Sequence, residues 1–265
     1  MKKKFDLKKL YLALVMLFFY LPIVYVVIFS FNDSKSLTSF TGFSLKWYQK
    51  MFETQPMMES IYYTVIVAVL ATAISTVVGT IAAIGLSKSN RIIKELVTQV
   101  NNLPMLNPEI VSAIGFMLFY STFNIPTGFM TLLLAHITFC IPYVMLSISP
   151  KLRQLDDNLA EAALDLGCTP FEALYKVIIP QIKEGIISGA LVAFTMSFDD
   201  FVISYFTAGP GINNISTYVY ATSKRINPSV NALSTIIVIV VTIVLILTNV
   251  VPMLRERKKK NEKIA

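Results

Sequence analysis

Long apolar runs alternate with short polar segments along most of this chain. A helix needs about 20 apolar residues to cross the hydrocarbon core of a bilayer, and runs of that length recur here. Lipid offers the backbone no hydrogen-bonding partner, so segments that cross it in this way must be helices. The pattern therefore predicts one all-α integral membrane domain over residues 1–265 with six transmembrane helices. Their predicted ranges are about 11–31, 61–87, 96–120, 128–149, 185–206 and 230–253.

Composition and charge agree with this class and predict its orientation. The chain is 55% hydrophobic with a mean hydropathy of +0.64, which is too apolar for a soluble domain of this length. Most of the 23 Lys and Arg residues lie in the two termini and in the second and fourth loops. Basic loops stay on the cytoplasmic side, so both termini and the loop over residues 150–184 are predicted to be cytoplasmic. Charge confined to membrane edges argues against nucleic acid as a partner.

The fourth loop contains a short polar helix with its own end signals. Asn158 precedes Glu161 by three residues, which is the spacing of a capping box at a helix start. Gly167 follows and can adopt the left-handed conformation that closes a helix. These signals predict a short helix in which Glu161 either completes the cap or reaches a basic partner.

A second helix is predicted directly after the first. Thr169 is expected to be its N-cap, Pro170 its first residue and Glu172 the partner in a second capping box. Pro180 is expected to interrupt this helix, because proline lacks the backbone N–H. The loop is therefore predicted to be a rigid helix–turn–helix unit that another protein can grip.

Three carboxylates fall inside predicted spans. A charge at mid-bilayer costs about 2.5–3.5 kcal/mol on insertion scales, so such residues usually face a pathway. At about 1.5 Å per residue, Glu109, Asp199 and Asp200 are expected at similar depth in the outer half of the membrane. The two aspartates are expected to point about 100° apart on one helix, and Pro108 is expected to break the backbone beside Glu109. The alternative is that these acids pair with another helix for structure, although the predicted spans contain no Lys or Arg.

The neighbours of the acids suggest a ligand class. Ser197 is polar, and four aromatic residues follow or precede the aspartates: Phe198, Phe201, Tyr205 and Phe206. Carboxylates bind ammonium groups, and aromatic faces cover methylene stems. The combination suits an elongated organic cation.

Two loops are predicted on the outer side. Residues 32–60 include a segment over 44–52 with helical spacing of its apolar positions, which is expected to lie flat on the outer interface. Trp47 within it is either part of the substrate pathway or a simple interfacial anchor. Residues 207–229 carry Gly, Pro and Asn turn signals.

Several chemistries are excluded by missing motifs. The chain has no Gly-x-x-x-x-Gly-Lys-Ser/Thr loop, so ATP hydrolysis needs another chain. His136, the only histidine, is expected to be packed and hydrogen-bonded, since a metal site would lack a second histidine and no zinc motif is present. Cys140 and Cys168 fall in a span and a cytoplasmic loop, so no structural disulfide is expected.

The fourth loop resembles the cytoplasmic motif of ABC importer permeases, which is Glu-Ala-Ala, three residues, Gly, nine residues and Ile-x-Leu-Pro. Val177 and Ile179 replace the usual Ile and Leu. The matching residues are Glu161, Ala162, Ala163, Gly167, Val177, Ile179 and Pro180. The resemblance implies a MetI-like fold in a bacterial cytoplasmic membrane, and it implies that this loop forms a coupling helix for an ATPase subunit.

More narrowly, the chain is similar to spermidine/putrescine permeases of the PotC type. The similarity rests on segments 45–48, 107–109 and 197–201. It implies a polyamine importer in which this chain pairs with a PotB-type permease, two PotA-type ATPase subunits that bind ATP and Mg, and a PotD-type binding protein. This chain itself is then expected to hold no cofactor and to be a transport subunit rather than an enzyme.

Other functions remain open at this point. An importer of thiamine or ferric iron is compatible with the acids, whereas a phosphonate would require intramembrane basic residues. An intramembrane aspartyl protease using Asp199 and Glu109 would be expected to carry a Gly-x-Gly-Asp element, which segment 209–212 does not supply. A proton-coupled secondary transporter would differ by gradient-driven rather than ATP-driven uptake.

Overall fold

The computed structural model describes residues 7–156, 158–223 and 227–246, and this part of the chain is almost entirely helical. Its helices are α1 (Leu7–Ser30), α2 (Lys46–Glu53), α3 (Gln55–Ser87), α4 (Arg91–Leu106), α5 (Glu109–Thr122), α6 (Phe129–Arg153), α7 (Leu159–Asp165), α8 (Pro170–Ala173), α9 (Ile179–Phe198), α10 (Val202–Thr207), α11 (Ile215–Thr222) and α12 (Pro228–Leu245). They form two compact units. One comprises the described residues up to Met58 and from Val219, and the other comprises Glu59–Tyr218.

In the first unit, α12 packs against α1 and α2. The segment predicted to lie on the outer interface is indeed helical, as α2, but its apolar face is buried in protein. Trp47 is only 5% exposed, and its indole Nε1 donates to the carbonyl of Asn32 at 2.6 Å. Lys46, one residue earlier, forms an exposed ion pair with Asp33 at 2.7 Å, and this lysine lowers the pKa of the Asp33 carboxyl.

In the second unit, α6 is the central helix and packs most extensively against α9. Val144 and Ile148 of α6 are fully buried. Glycines of the neighbouring helices α3 and α9 permit close packing against α6. A Cβ at Gly79 of α3 would lie 2.8 Å from a methyl carbon of Val144. A Cβ at Gly189 would lie 3.2 Å from the Cα of Val144. Small residues at such crossings let helices approach within backbone contact, as in membrane helix pairs generally.

Four helices are long and apolar enough to cross a bilayer in the part of the chain that the structure describes: α1, α3, α6 and the α8–α9 segment. The third predicted span is not straight, because α4 and α5 meet at a bend of 106°. Asn107 has an extended backbone conformation there, and Pro108 precedes the first residue of α5. A proline disfavours helical conformation in the residue before it, so Asn107 ends α4. Counting the bent pair as one span gives up to five spans.

The sixth predicted span, about 230–253, begins as α12. The structure describes it to Ile246, and the remainder of that range lies outside the described residues. The basic residues of both termini that carry much of the orientation argument, Lys2 to Lys4 and Arg255 to Lys263, also lie outside the described residues.

A turn with two left-handed glycines connects α10 to α11 and yields a first test of the fold. Gly209 (φ +77°) lies so close to α6's N-terminal loop that a Cβ would be 2.4 Å from the carbonyl oxygen of Thr127. Gly211 (φ +80°) has no atom within 4 Å of where its own Cβ would be.

A non-glycine residue in the left-handed region costs about 1–2 kcal/mol, so alanine at either Gly209 or Gly211 carries this cost. We expect Gly209→Ala to lower the melting temperature of the purified transporter several degrees more than Gly211→Ala, because only the former must displace backbone. Equal shifts for the two variants would contradict the close approach.

Candidate functional site

The two aspartates lie at a break between helices and not on one continuous helix. The predicted fifth span, 185–206, ends at Phe198 as α9, and α10 begins at Val202. The expectation that the aspartates point 100° apart on one helix is therefore wrong. Asp200 explains the break, because its carboxylate caps α10. It accepts from the backbone N–H groups of Ile203 at 3.1 Å and Ser204 at 2.8 Å, and from the Ser204 hydroxyl at 2.7 Å.

His136 of α6 joins this cap to α9. Its Nδ1 is 2.7 Å from the Ser197 hydroxyl, and its Nε2 is 3.0 Å from the Ser204 hydroxyl. The Nε2 atom also lies 3.3 Å from a carboxylate oxygen of Asp200. All four side chains are buried, and Asp200 is only 4% exposed. The prediction that His136 is a packed, hydrogen-bonded residue is confirmed.

The hydrogen bonds around Ser204 determine where the protons lie. Asn214 donates from its amide nitrogen to the Ser204 oxygen at 2.7 Å and to the carbonyl of Asp200 at 2.6 Å. The Ser204 hydroxyl donates to Asp200, so it must accept from His136. The imidazole therefore carries a proton on Nε2, and in its neutral form Nδ1 accepts from Ser197. Every polar group of the network then has a partner, which is what a buried polar cluster requires.

Ser197, His136 and Asp200 are connected in the order of a serine hydrolase triad, but their burial argues against that chemistry. A nucleophilic hydroxyl must reach a substrate carbonyl. Ser197 is buried, and its hydroxyl faces the imidazole from inside the helix packing. We assign the network a structural role: it fixes the break after α9 and so positions the neighbouring Asp199.

Sequence reasoning missed the partnership of Asp200 and His136. The available signal was the spacing of Ser197, Asp200 and Ser204, which places three polar side chains on one side of a nominal helix. A single intramembrane histidine is a natural partner for such a polar face.

The other two acids are less buried than Asp200. Asp199 is exposed, and Glu109, the first residue of α5, is half-buried. Helix α5 packs against α10, and Glu109 lies close enough to Asp199 and Asp200 to interact electrostatically with both. The structure therefore brings the three carboxylates close together, although the sequence predicted only a similar depth, and the 106° bend before Glu109 removes the straight span on which that depth was counted. Within the described residues, neither Glu109 nor Asp199 is in an ion pair with Lys or Arg.

Aromatic residues flank the two aspartates along the chain and contact one another. The ring of Phe201 lies 5.5 Å from that of Tyr205, which in turn contacts Phe206 edge to face at 5.4 Å. Phe198 stacks on Phe194 one turn earlier in α9. Trp47, the remaining predicted pathway residue, lies in the first compact unit and is buried against Asn32, which fits a packing role.

The first helix of the predicted helix–turn–helix unit, α7, ends as expected but begins differently. Gly167 (φ +87°) donates to the Leu164 carbonyl at 2.9 Å, and Cys168 donates to the Ala163 carbonyl at 3.1 Å. This pair of bonds is the Schellman closure. The capping box of Asn158 is wrong, because its side chain makes no cap bond. The preceding turn instead uses Asp156, whose carboxylate accepts from the N–H of Asn158 at 3.0 Å.

The second helix has the predicted capping box. Thr169 accepts from the N–H of Glu172 at 3.3 Å, and the Glu172 carboxylate accepts from the N–H of Thr169 at 3.0 Å. Pro180 does not interrupt the helix as expected. A π-helical turn, Leu174–Ile178, precedes it and leads directly into α9. The ring of Pro180 would meet the carbonyl of Lys176 in a regular helix, so the wider turn falls where that clash must be relieved.

The surface of this unit carries large exposed apolar side chains. Leu166 is 87% exposed and Phe171 is 75% exposed, and Tyr175 is also exposed nearby. Ala163 and Ala173 point the other way and are buried. Among the motif residues, Glu161, Ala162, Gly167 and Pro180 are exposed, while Val177 and Ile179 are half-buried. Large exposed apolar side chains on a rigid capped unit indicate a protein contact, and Leu166 and Phe171 were not identified from the sequence.

Sequence comparison relates the chain to bacterial transport systems. Residues 75–257 match the family described as "Binding-protein-dependent transport system inner membrane component". The chain is similar to the spermidine/putrescine transport system permease protein PotC of Haemophilus influenzae, with 32% identity over 94% of this chain and 97% of that protein. It is 35% identical to the putrescine transport system permease protein PotI of Escherichia coli K12 over 86% of this chain and 84% of that protein.

Solved structures share the fold. A bacterial ABC transporter involved in the import of the acidic polysaccharide alginate superimposes with a TM-score of 0.70 at 15% identity, covering 93% of this chain and 94% of that chain. An amino acid ABC transporter crystallised with histidines superimposes with a TM-score of 0.55 at 19% identity, covering 76% of this chain and 96% of that chain. At such identities the likeness concerns the fold alone.

Proposed function

We propose that this chain, which belongs to the family of binding-protein-dependent transport system inner membrane components, forms half of the translocation pathway of a bacterial polyamine importer. It is a multi-pass membrane permease subunit and not itself an enzyme. The relatives named for spermidine and putrescine transport support the substrate class. The observation that carries the proposal is the pair of Glu109 and Asp199, two neighbouring acids without a basic partner among the described residues.

The pair suits a flexible cation with several ammonium groups. The Glu109 carboxylate at the start of α5 and the Asp199 carboxylate just after the end of α9 can each accept from one ammonium group. The rings of Phe201 and Tyr205 can cover the methylene carbons between them. Asp200 holds this geometry, because it accepts from three donors of its own chain and its side chain also hydrogen-bonds to Glu109. The site must bind weakly, since tight binding would prevent release to the other side.

Transport then depends on partners outside this chain. In the proposed assembly, six spans place both termini and residues 150–184 in the cytoplasm, and a PotB-type permease completes the pathway. A PotD-type binding protein delivers the polyamine at the outer loops. Two PotA-type subunits bind ATP and Mg and close around the unit formed by α7 and α8, where the exposed Leu166 and Phe171 provide an apolar contact. Because this unit is capped and continuous with α9, it can transmit that closure as a rigid-body movement.

Labelled spermidine uptake by the reconstituted four-component transporter tests this assignment. We expect ATP-dependent uptake by the wild type and at least tenfold less in Glu109→Gln/Asp199→Asn, because each lost charge removes a charge-assisted bond to the cation. Glu95→Gln, which removes an exposed acid paired with Arg91, is the matched control and should retain uptake.

Two outcomes would contradict the proposal. Wild-type transporter that assembles and hydrolyses ATP without taking up spermidine or putrescine would reject the substrate class. Normal uptake by the double variant would reject the acidic site while leaving the transporter class in place.

A further inference from the structure

A cavity of about 470 Å³ lies in the second unit, away from the acidic site. It opens where α3 ends, α4 begins and α6 ends, and its remaining wall is the inner side of the α7–α8 unit. Its volume is within the range of ligand-binding pockets in general. Ala160, Leu164 and Ala173 of the wall belong to the unit that is proposed to contact the ATPase, so whatever fills the cavity also supports that unit.

Helix α4 turns its polar side toward this cavity. Lys94, Thr98, Asn101 and Asn102 line the cavity and are partly buried, at the i, i+4, i+7 spacing of one helix face. The other side of α4 is apolar and exposed, with Ile92, Ile93, Leu96, Val97, Val100 and Leu103. A helix that exposes its apolar side to lipid and directs a lysine inward is suited to a polar group within the cavity.

The lining carries an excess of positive charge. Lys88, Lys94 and Arg153 contribute three basic groups, against one acid, Asp156, among the described lining residues. The Asp156 carboxylate already accepts from the N–H of Asn158. None of the three basic side chains is in an ion pair with another described residue. A polyamine would therefore be repelled here, and an anionic group would be attracted.

The rest of the lining is apolar. Met145, Leu146 and Leu152 of α6 face the cavity together with Ile84 and Leu86 of α3. A small soluble anion would leave this surface unfilled, whereas an acyl chain would cover it. The lining thus matches a molecule with an anionic head and a hydrocarbon tail.

We propose that this cavity binds one anionic phospholipid. Its phosphate group contacts Lys94, Lys88 and Arg153, and an acyl chain lies along the apolar side chains of α3 and α6. Basic pockets between membrane helices bind such headgroups by the same electrostatics. The bound lipid holds the α7–α8 unit against α4 and α6. The lipid composition of the membrane therefore affects how efficiently movement of the ATPase is transmitted to the membrane-spanning helices.

Retention of lipid by the purified, delipidated transporter tests the proposal directly. After incubation with phosphatidylglycerol or phosphatidylcholine, native mass spectrometry counts the lipid bound to each complex. We expect selective retention of phosphatidylglycerol and about tenfold weaker retention by Lys94→Gln/Arg153→Gln, because two of the three headgroup contacts are lost. Arg91→Gln is the matched control on the same helix, since Arg91 is outside the cavity and pairs with Glu95.

A second variant and a soluble competitor separate the remaining outcomes. Thr98→Phe fills the cavity without changing its charge and should also reduce phosphatidylglycerol retention. Equal retention of both lipids by the wild type, or undiminished retention by both cavity variants, would overturn the site. Displacement by glycerol phosphate at the concentration at which phosphatidylglycerol binds would overturn the lipid as occupant. Lipid retention is measured without transport, so these results stand apart from the polyamine proposal.

Discussion

Replacing Asp200 with alanine should cost the transporter its assembly, whereas the same change at Asp199, one residue earlier, should leave assembly intact. Asp200→Ala removes the acceptor for the backbone N–H groups of Ile203 and Ser204 and for the Ser204 hydroxyl, all in a buried environment. Removing one member of a buried, hydrogen-bonded charged network costs about 3–5 kcal/mol. Since whole domains are stable by about 5–15 kcal/mol, this loss is large.

The measurement is the yield and melting temperature of the four-component complex, followed by uptake. We expect Asp200→Ala to give little assembled complex, and Asp199→Ala to give wild-type yield with severely reduced spermidine uptake. Asp199 is a fair control because it is an exposed acid at the same break. An Asp200→Ala complex that assembles and melts like the wild type but fails to transport would show that Asp200 contacts the substrate and does not stabilise the fold.

A fixed rise per residue predicted similar depths for Glu109 and the two aspartates on the assumption of straight spans. The 106° bend between α4 and α5 lies just before Glu109, so the three acids are close because α5 packs against α10 and not because they lie equally far along straight helices. The break at Asp199 could not be predicted in the same way, since segment 197–201 has neither proline nor glycine. The helix ends there because Asp200 bonds forward into α10 and His136 bonds to both sides of the break. The bonds of Asp200 span only three and four residues, but the contacts of His136 join residues more than 60 positions apart, which no local pattern contains.

The α7–α8 unit shows the same division between local and distant causes. Gly167 and the Thr169 capping box follow short-range rules, and the structure has both. Asn158 failed as a cap because its backbone is helical (φ −82°, ψ −9°), whereas an N-cap residue is typically extended. Pro180 was expected to end a helix, but the π-helical turn before it accommodates the proline and the helix continues as α9. The packing of α9 against α6 favours this continuation. Tertiary packing thus decides whether a local helix-ending signal takes effect.

Substituting Gly167 with valine should uncouple the transporter, whereas asparagine at the same position should largely preserve coupling. Gly167 has φ +87°, and no atom lies within 4 Å of where its Cβ would be. Both substitutions therefore enter open space and differ only in backbone preference. Asparagine tolerates the left-handed conformation, but a β-branched residue there is a true outlier. Valine should thus open the bonds from Gly167 and Cys168 to Leu164 and Ala163 and release the end of α7.

The uncoupling is measured as binding-protein-stimulated ATPase activity and spermidine uptake by the same reconstituted complex. We expect Gly167→Val to lose at least tenfold in uptake while retaining basal ATPase activity, because the ATPase dimer still closes but no longer moves α9. Gly167→Asn should keep most of both activities. Equal uptake by the two variants would mean that the Schellman closure is not needed for coupling. The exposed Leu166 and Phe171 would then have to transmit the ATPase movement without the rigid turn between them.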